Sequence, residues 1–313
     1  MKKKINIISP IFNEEHNINK FYQKLKIVSD KIQDKYEITL ILVDDGSKDN
    51  SAEIIRKLVN EEKNIKSLFF TKNFGHQAAI FAGLREFDAD YYAVLDADLQ
   101  HNPELIELMI QNLESNKCEI IQMKKQNVNY EGLIQRYISR LFYYVFSKLT
   151  NIHLEPGSSD FFLITNKVRD QLIKSKLSNN FIRGFLHWTG FKKISISFTP
   201  EKRSAGKSNY GFSKRLELGL TGIYFYTSKL FIFILIFSLL TMLVALIFAI
   251  YIVFKFSTGD LDQNAGFSTI TILILFFGSL SLFLNSILLF IINKIFEYSG
   301  NKPLYLKKKD HEQ

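Results

Sequence analysis

Two aspartates separated by one residue, Asp96 and Asp98, are the side chains whose types and spacing most directly indicate chemistry in this chain. They follow Tyr91–Leu95, a short apolar and aromatic run typical of a buried strand. Ligands of open α/β sheets bind at the carboxyl ends of strands. Two carboxylates spaced this way suit one hard divalent cation, which in turn holds a diphosphate. A solvated loop after a strand explains the pair equally well, so other motifs in the chain are needed to distinguish a loop from a metal site.

Alternating strand and helix patterns surround this pair of acids. The apolar strand patterns are Ile5–Ile8, Ile38–Val43, Ile65–Phe70, Tyr91–Leu95 and Glu119–Met123. The helical patterns between them are Glu15–Ile32, Ser51–Glu62, Gln77–Phe87 and Pro103–Ser115. Because strands joined by crossover helices pair in parallel, we predict an α/β domain with a mostly parallel sheet.

Sharp polar turns follow the first four predicted strands. These turns are Ser9–Glu15, Asp44–Ser47, Asn73–Gln77 and Asp96–Gln100. In a parallel sheet they share one edge, where acids accept hydrogen bonds from nucleobase imides and ribose hydroxyls while the aspartate pair holds metal and diphosphate. Each turn alone has a simpler explanation, since Asn, Asp, Gly, Ser and Pro favour turns. The combination indicates a nucleotide site.

Other nucleotide and metal chemistries lack their motifs. No G-x-G-x-x-G follows the first strand and no G-x-x-x-x-G-K-[ST] occurs, so dinucleotide oxidoreductases and P-loop NTPases lose their main support. No H-E-x-x-H occurs either, and scattered histidines favour structural or solvated roles over metal binding. These single histidines are His76, His101, His153 and His187.

Charge and cysteine content narrow the class of protein further. The 313 residues carry a net charge of +9, which is compatible with nucleic acid, a phosphate-rich ligand or an anionic membrane surface. The single Cys118 has no partner for an internal disulfide. Because the basic residues cluster beside the apolar C-terminal runs, where membrane topology already explains them, we predict no nucleic-acid partner.

Two uncharged apolar runs, Leu230–Phe254 and Ala265–Asn293, each exceed the ~20 residues that span a bilayer core. Acids lie between the two runs, and basic residues lie before the first run and after the second. The positive-inside rule therefore predicts a transmembrane hairpin over residues 230–293 with both chain ends in the cytoplasm. Residues 294–313 would then form a basic cytoplasmic tail.

Two further segments have the composition of membrane-surface helices. Residues 131–150 form an amphipathic stripe with basic residues on another face, which fits either an interfacial helix or a helix packed on the sheet. The nearby membrane runs favour the interfacial alternative. Residues 212–229 are rich in Tyr and Phe and lie just before the first run, so we predict a juxtamembrane interfacial helix there.

The strand-end motifs resemble glycosyltransferase family 2. More narrowly, they are similar to its polyprenyl-phosphate hexose synthases, the dolichyl-phosphate mannose synthases and bacterial bactoprenol glucosyltransferases. The motifs that carry the resemblance are Pro10, Asn13–Glu15, Val43–Ser47, Asn73–Gln77, Asp96–Gln100, Ser158–Phe162 and Arg203–Tyr210. With the two-span C-terminus typical of the bacterial branch, the resemblance covers nearly the whole chain.

The resemblance implies a GT-A (Rossmann-like) α/β fold over residues 1–211 and a role for each matched residue. The residues implied to bind the nucleotide sugar are Pro10, Asn13, Glu14, Asp44, Asp45 and Asp96. Those implied to hold Mg²⁺ or Mn²⁺ with the diphosphate are Asp96, Asp98 and Gln100. Catalysis would depend on Asp98 and on Asp160 near the reacting centre. The acceptor phosphate would meet Arg136, Arg140, Arg203 and Lys207.

Two departures from the family pattern are visible. Many relatives continue with Asp-Pro after the glutamine, whereas this chain has His101, Asn102 and Pro103. Asn209 also stands where lysine is common. Neither position carries the core chemistry, so the departures leave the choice of donor open more than the class of reaction.

The sequence therefore predicts an inverting hexosyltransferase of the bacterial inner (plasma) membrane. It would move a hexose from a UDP- or GDP-linked donor to a polyprenyl phosphate, with undecaprenyl phosphate the expected acceptor, for cell-envelope glycan modification. The acceptor phosphate is already a nucleophile, so Asp160 is interpreted first as a positioner of sugar or metal and second as a base. We expect a homo-oligomer.

Several alternatives remain open at this point. A membrane-anchored transferase that extends a saccharide stays in the same enzyme class. A membrane-anchored nucleotide-sugar binder, or a subunit of a flippase or channel, is a different class. Arg203 and Lys207 have a second explanation as topology determinants alone. The sugar itself is open among glucose, mannose, galactose, N-acetylhexosamines and aminoarabinose-type donors.

Overall fold

A seven-stranded mixed β-sheet organises the computed structural model of this chain. The structure describes residues 2–126, 144–148, 150, 152, 155, 157–175, 181–201 and 303–308, with scattered positions between 247 and 295. The strands are β1 (Lys3–Ile11), β2 (Tyr36–Asp44), β3 (Ile65–Phe69), β4 (Tyr91–Val94), β5 (Ile120–Lys125), β6 (Ser158–Thr165) and β7 (Lys193–Phe198). The helices are α1 (Ile18–Ile32), α2 (Ser51–Glu61), α3 (His76–Glu86), α4 (Leu105–Ser115), α5 (Asn166–Lys174) and α6 (Ile182–Trp188).

The strand order is β3-β2-β1-β4-β6-β5-β7. Strands β1 to β4 are mutually parallel, β6 runs antiparallel to both β4 and β5, and β7 is parallel to β5. The chain first builds outward from β1 through β2 to β3 and then returns to place β4 on the other side of β1. This reversal is the switch point at which open α/β sheets bind ligands, beyond the carboxyl ends of the strands.

Apolar residues on both faces of the sheet explain why the strands form there. All four residues of β4 are buried, as are the last seven of β1. One face packs against α1, α2 and α4 around Phe21, Leu42 and Met109, and the other packs against α3, α5 and α6 around Ile80, Tyr92 and Phe185. A sheet covered on both sides has near-continuous apolar strands, which is the pattern observed.

The predicted strand and helix alternation is confirmed, with element ends shifted by a few residues. The prediction of a Rossmann-like α/β domain is also confirmed. The sheet is mostly parallel, as predicted, since six of its seven strands run in one direction. It is mixed because β6, a strand that the alternation did not identify, runs antiparallel to β4 and β5; β7, also not identified, is parallel to β5. β6 enters from the opposite end and pairs antiparallel with β4, Tyr91 opposite Thr165 and Val94 opposite Phe162.

The chain divides into two compact units, residues 1–226 with 304–313, and residues 227–303. Within the part of the chain that the structure describes, no helix combines the length and the apolar character needed to cross a membrane. Most positions of the predicted hairpin (230–293) and all of the predicted helix at 212–229 lie outside the described residues. The same holds for residues 131–143 of the other predicted interfacial helix.

Candidate active site

The carboxyl ends of β1, β2 and β4 bring three of the predicted polar turns to one edge of the sheet. β1 is the central strand of the three, paired with β2 on one side and β4 on the other. The turn after β3 joins them, since Asp44 at the end of β2 pairs with Phe69 at the end of β3. We call this side of the domain the carboxyl edge.

The turn after β1 is tied to the turn after β2 by paired hydrogen bonds. The Asn13 amide donates to Ser47 Oγ at 3.0 Å, and the Lys48 amide donates back to Asn13 Oδ1 at 2.8 Å. The Glu14 amide donates to Ser51 Oγ at 2.9 Å. Asn13 adopts a left-handed backbone conformation with φ of 57°, which Asn tolerates better than most residues. Asn13 and Glu14 therefore shape the loops at the edge, and Pro10 lies buried within β1.

Asp44 and Asp45 occupy the end of β2, and both are buried. Asp45 accepts the amides of Phe74 and Gly75 at 2.6 and 2.9 Å, so its carboxylate holds the loop that leads into α3. Asp44 Oδ1 accepts the Ser47 amide at 3.1 Å, while its Oδ2 has no hydrogen-bond partner among the described residues. Burial raises the pKa of both carboxyls, and the hydrogen bonds that they accept oppose that shift. Asp44 Oδ2 therefore retains the capacity to accept a further hydrogen bond.

Gly46 is required by the close approach of two of these loops. Its φ is +69°, a conformation that disfavours residues with a Cβ, and an added Cβ would collide with the backbone of Lys72. The contact presses the turn after β2 against the turn after β3. The turns after β2 and β3 therefore pack directly on each other at the carboxyl edge.

Asp96 and Asp98 lie in a tight turn directly after β4. Asp98 Oδ1 accepts the Gln100 amide at 3.0 Å, and Leu99 between them is buried with a left-handed φ of 64°. The buried Leu99 anchors the turn and directs its polar neighbours to the edge. Asp98 is only 7% exposed, which is low for a carboxylate on a loop.

Asp160 is brought to Asp96 by the register of β6. The last paired residues of the two strands are Val94 and Phe162, and continuing that antiparallel register by two residues sets Asp160 opposite Asp96. His76 at the start of α3 lies between them, with its Nε2 3.5 Å from Asp96 Oδ1 and 3.9 Å from Asp160 Oδ2. The structure thus joins two predicted site residues through a histidine that the sequence analysis interpreted as structural or solvated.

Arg183 is a site residue that the sequence reasoning missed. Its Nε and one terminal nitrogen lie 3.2 and 3.0 Å from the two oxygens of Asp160, a bidentate pair. Gln77 Nε2 also donates to Asp160 at 3.3 Å, while Gln77 Oε1 accepts the Ile182 amide at the start of α6. Burial alone would raise the pKa of Asp160, but Arg183 and then His76 outweigh it, and the pKa lies below its usual value.

His101 is the second site residue that the sequence did not identify, and it holds the backbone of Asp96 through a hydrogen bond. The side chain is 2% exposed, stacks on Phe161 with ring centroids 5.0 Å apart, and accepts the Asp96 amide at Nδ1 over 3.3 Å. Burial lowers the pKa of the His101 ring, and its Nε2 is buried without a partner among the described residues. The sequence contains one signal for this residue: His101 directly follows the Asp96–Gln100 motif, at a position where many relatives have Asp.

The predicted metal ligands fit a cation that is shared with a substrate. The described residues contain no group of three or more His, Cys, Asp or Glu side chains arranged to hold a metal ion. The predicted set has two carboxylates and one amide, Asp96, Asp98 and Gln100, within one turn. Mg²⁺ commonly takes one or two protein carboxylates and completes its shell with phosphate oxygens and water. This donor set therefore suits a metal–diphosphate complex better than a metal held by protein alone.

The predicted acceptor-phosphate residues are not among those the structure describes. Arg136, Arg140, Arg203 and Lys207 all lie in undescribed stretches. Their roles stay predictions, as do the individual roles assigned to the other site residues. What the structure adds is the approach of Asp160 to Asp96, which are far apart in the sequence and are joined through His76.

Comparison with known proteins agrees with this geometry. Residues 6–173, more than half of the chain, match the family Glycosyl transferase family 2. An uncharacterized glycosyltransferase, YkcC of Bacillus subtilis, is 31% identical over 305 residues, which are 97% of this chain and 93% of that protein. The bactoprenol glucosyl transferase of Shigella phage SfV is 28% identical over 312 residues, 99% of this chain and all of that one.

The unit of residues 1–226 with 304–313 carries the carboxyl edge and is here called the catalytic unit; a solved structure shares its fold. Mannosyl-3-phosphoglycerate synthase from Rubrobacter xylanophilus superposes with a TM-score of 0.50 at 10% identity, over 71% of this chain and 72% of that one. The α/β sheet with its mixed strand order is of the GT-A type. The protein is a glycosyltransferase, and the chain belongs to glycosyltransferase family 2.

Proposed function

We propose that the protein transfers a hexose from a UDP- or GDP-linked donor to a polyprenyl phosphate, with inversion at the anomeric carbon. The bond from the anomeric carbon to the nucleoside diphosphate breaks, and an oxygen of the acceptor phosphate forms the new bond. An α-linked donor would give a β-linked lipid phosphate. Support for the acceptor class comes from full-length relatives named bactoprenol glucosyl transferase.

The ion pair between Asp160 and Arg183 is the observation that carries this proposal. A carboxylate whose pKa is held below its usual value by a bidentate arginine is a poor proton acceptor. A sugar hydroxyl acceptor needs a base to remove its proton, whereas a phosphate monoester with a second pKa of ~6 is largely dianionic at neutral pH. Asp160 therefore suits the positioning of sugar and donor in a reaction that needs no strong base.

The donor would lie across the carboxyl edge from β2 to β4. Asp44 offers a buried carboxylate oxygen, without a partner among the described residues, to an N–H or O–H group of the nucleoside, and Asp45 holds the neighbouring loop. Pro10, Asn13 and Glu14 belong to the adjacent turn. The diphosphate would then reach the turn after β4, where His76 and Asp160 face the sugar.

A divalent ion would be held by Asp96, Asp98 and Gln100 together with the donor. Mg²⁺ or Mn²⁺ bound there would supply positive charge to the leaving diphosphate. The protein's own contribution is to fix the two aspartates. Asp96 is placed by His101 and His76, and Asp98 by the turn that it forms with Gln100.

The acceptor would arrive from a membrane that the chain itself spans. We place the two crossings at residues 230–254 and 265–293 of a bacterial plasma membrane, with the catalytic unit in the cytoplasm and Arg136, Arg140, Arg203 and Lys207 at the lipid phosphate. Large apolar side chains in the first run, Ile247, Ile250 and Phe254, are more than half exposed, which suits lipid contact. Residues 1–226 before the two runs and residues 304–313 after them belong to one compact unit, which fits an even number of crossings.

The test is a panel of UDP- and GDP-sugars incubated with undecaprenyl phosphate and the purified full-length protein. Mass spectrometry should detect one lipid phosphate carrying a single added hexose, and excess EDTA should suppress it. Transfer to a soluble saccharide with no product on the lipid phosphate would contradict the proposed acceptor. Full transfer in EDTA would contradict the metal role of Asp96 and Asp98.

A further inference from the structure

The chain returns to the catalytic unit after the predicted membrane hairpin. Residues 304–308, here called the C-terminal strap, pair antiparallel with the end of β3 through a bridge between Phe70 and Lys307. The Thr71 amide donates to the Leu306 carbonyl at 3.0 Å, and the Lys308 amide donates to the Phe69 carbonyl at 2.8 Å. The strap thereby adds a short segment beside β3, next to the turn that leads to His76.

The face of the strap toward α3 is fixed by specific contacts. Tyr305 stacks on Phe70 with ring centroids 5.0 Å apart, and its hydroxyl donates to Glu86 Oε1 at 2.7 Å. Lys307 Nζ donates to the other oxygen of the same carboxylate at 2.8 Å. Tyr305 is buried. The backbone bridge sets the register of the strap and so determines which residue faces the other side, and Tyr305 packs the strap in place.

The residue that faces the other side is Lys308. Residues opposite each other in an antiparallel bridge share a face, so Lys307 lies on the face of Phe70 and Lys308 on the face of Phe69. Phe69 is the register partner of Asp44 in β2. Lys308, Phe69 and Asp44 therefore form a row across three adjacent segments on one face of the sheet, at the carboxyl edge.

Asp44 is a buried carboxylate whose surroundings affect how readily it stays charged. It is completely buried, and its Oδ2 has no hydrogen-bond partner among the described residues. Burial raises its pKa, whereas hydrogen bonds from Ser47 and the positive charge of Lys308 act in the opposite direction. Asp49 adds a smaller unfavourable negative charge. Lys308 therefore favours the carboxylate form that accepts hydrogen bonds from a ligand.

We propose that Lys308 is a positioning residue of the donor site, whose charge holds the Asp44 carboxylate ready for the N–H and O–H groups of the donor's nucleoside. The inference rests on the proposed use of this edge for a nucleotide sugar. It assigns a donor-site role to a residue that follows both predicted membrane runs. The donor site is then complete only when the C-terminal strap is docked on β3.

The chain offers a matched control for this proposal in the neighbouring lysine. Lys308→Ala and Lys307→Ala remove the same charge from adjacent positions of one strap, but only Lys308 faces Asp44. With the full-length protein and Mg²⁺, calorimetric titration of UDP and GDP identifies the nucleotide that binds. Lys308→Ala should weaken that binding about fivefold to tenfold. Lys307→Ala should change it less than about twofold, and Lys308→Arg should restore it.

The kinetic form of the effect separates positioning from loss of structure. Lys308→Ala should raise the donor KM while leaving kcat and the lipid KM nearly unchanged. In an Asp44→Asn background the effect of Lys308→Ala should fall below about twofold, because the interacting charge is gone. Equal nucleotide affinity in the two lysine variants would overturn the proposal. So would a Lys308→Ala effect that keeps its full size in the Asp44→Asn background.

The same titration distinguishes this inference from the proposed reaction. Nucleotide binding that is sensitive to Lys308, in a protein that transfers no sugar to undecaprenyl phosphate, would support the strap and contradict the acceptor. Transfer to the lipid, together with nucleotide binding that Lys308→Ala leaves unchanged, would support the acceptor and contradict the role of Lys308. Binding of neither UDP nor GDP by the unmodified protein would overturn the donor site and the role of Lys308 together.

Discussion

Charged and polar side chains lie both where the parallel strands begin, the amino edge, and where they end, the carboxyl edge, but their roles differ. At the amino edge, Lys3 Nζ donates to Glu114 at 2.7 Å and to Tyr91 Oη at 2.9 Å, and Tyr36 Oη donates to the other Glu114 oxygen at 3.0 Å. This amino-edge cluster ties β1, β2, β4 and α4 together. Glu114 accepts on both oxygens, and none of these four described side chains has a buried polar atom without a partner.

The carboxyl edge is built in the opposite way. Asp44 Oδ2 and His101 Nε2 are buried without partners among the described residues, and Asn13 and Leu99 hold left-handed backbone conformations. Such features cost free energy and persist where the surrounding structure enforces them. The contrast between these groups indicates that the paired side chains of the amino-edge cluster stabilise the fold, whereas Asp44 and the turns of the carboxyl edge keep hydrogen-bonding capacity for a ligand.

The largest test of this contrast removes one carboxylate from each edge. Asp98→Ala should lower kcat by about 10³-fold or more, because the metal–diphosphate ligand set loses a member. Glu114→Gln removes a carboxylate charge at the amino edge and should leave kcat within about twofold. Initial rates at saturating donor and lipid measure both. Near-normal turnover by Asp98→Ala would place the metal elsewhere.

Arg183 gives the next largest effect. Arg183→Ala should lower kcat about 10²-fold, because Asp160 loses its bidentate partner and the charge that keeps it ionised and oriented. Arg183→Lys keeps the charge but not the two guanidinium nitrogens that contact both oxygens of Asp160, so it should recover only part of the rate. Single-turnover transfer with the lipid acceptor is the measurement. Full recovery by lysine would show that charge alone is needed.

His101 should affect activity and stability together. His101→Ala removes a buried ring stacked on Phe161 and the acceptor of the Asp96 amide, so the apparent Tm should fall as expected for a loss of about 2–4 kcal/mol. The rate should fall about tenfold at a temperature where the variant is folded. Thermal unfolding and initial rates are compared on the same preparation. Lost stability with an unchanged rate would show that His101 does not position Asp96 for the reaction.

The smallest effect is expected at the amino edge. Glu114→Gln should destabilise the protein by about 1 kcal/mol or less at neutral pH, since Lys3 and Glu114 are partly exposed and solvent weakens the pair. Burial alone would raise the pKa of Glu114, but hydrogen bonds from Lys3 and the two tyrosines outweigh it and hold that pKa below its usual value. The contribution of this carboxylate is therefore present at neutral pH and is lost as the pH falls through that lowered pKa.

The apparent Tm of both proteins, measured from pH 7 down to about pH 3, checks the sign of this effect. The difference between Glu114→Gln and the unmodified protein should shrink below the ordinary glutamate pKa of about 4.3. A gap that widens toward acid would show that the carboxylate is not stabilised by the cluster. The burial of Tyr36 and its hydrogen bond to Glu114 raise the pKa of the phenol to about 12, so this tyrosine stays neutral throughout.

Local patterning was enough to predict much of this fold. Apolar runs such as Tyr91–Leu95 and the amphipathic repeats between them depend on neighbours a few residues apart, so their periodicity is visible without the fold. The shared edge also followed from the sequence, because strands joined by helical crossovers are parallel and end on the same side. Hence the sequence alone places Asp44, Asp45, Asp96 and Asp98 at one edge of the sheet.

Long-range pairing decided the rest. The approach of Asp160 to Asp96 depends on the antiparallel register of β6, and the contact of Arg183 with Asp160 depends on where α6 packs. Lys308 reaches the row of Asp44 only because a bridge pairs the preceding lysine with the residue after β3. None of these contacts has a local sequence pattern, because each is set by strand register and packing between segments far apart in the chain. The sequence by itself determined the chemistry available at the carboxyl edge, and the tertiary structure decided which of those groups meet.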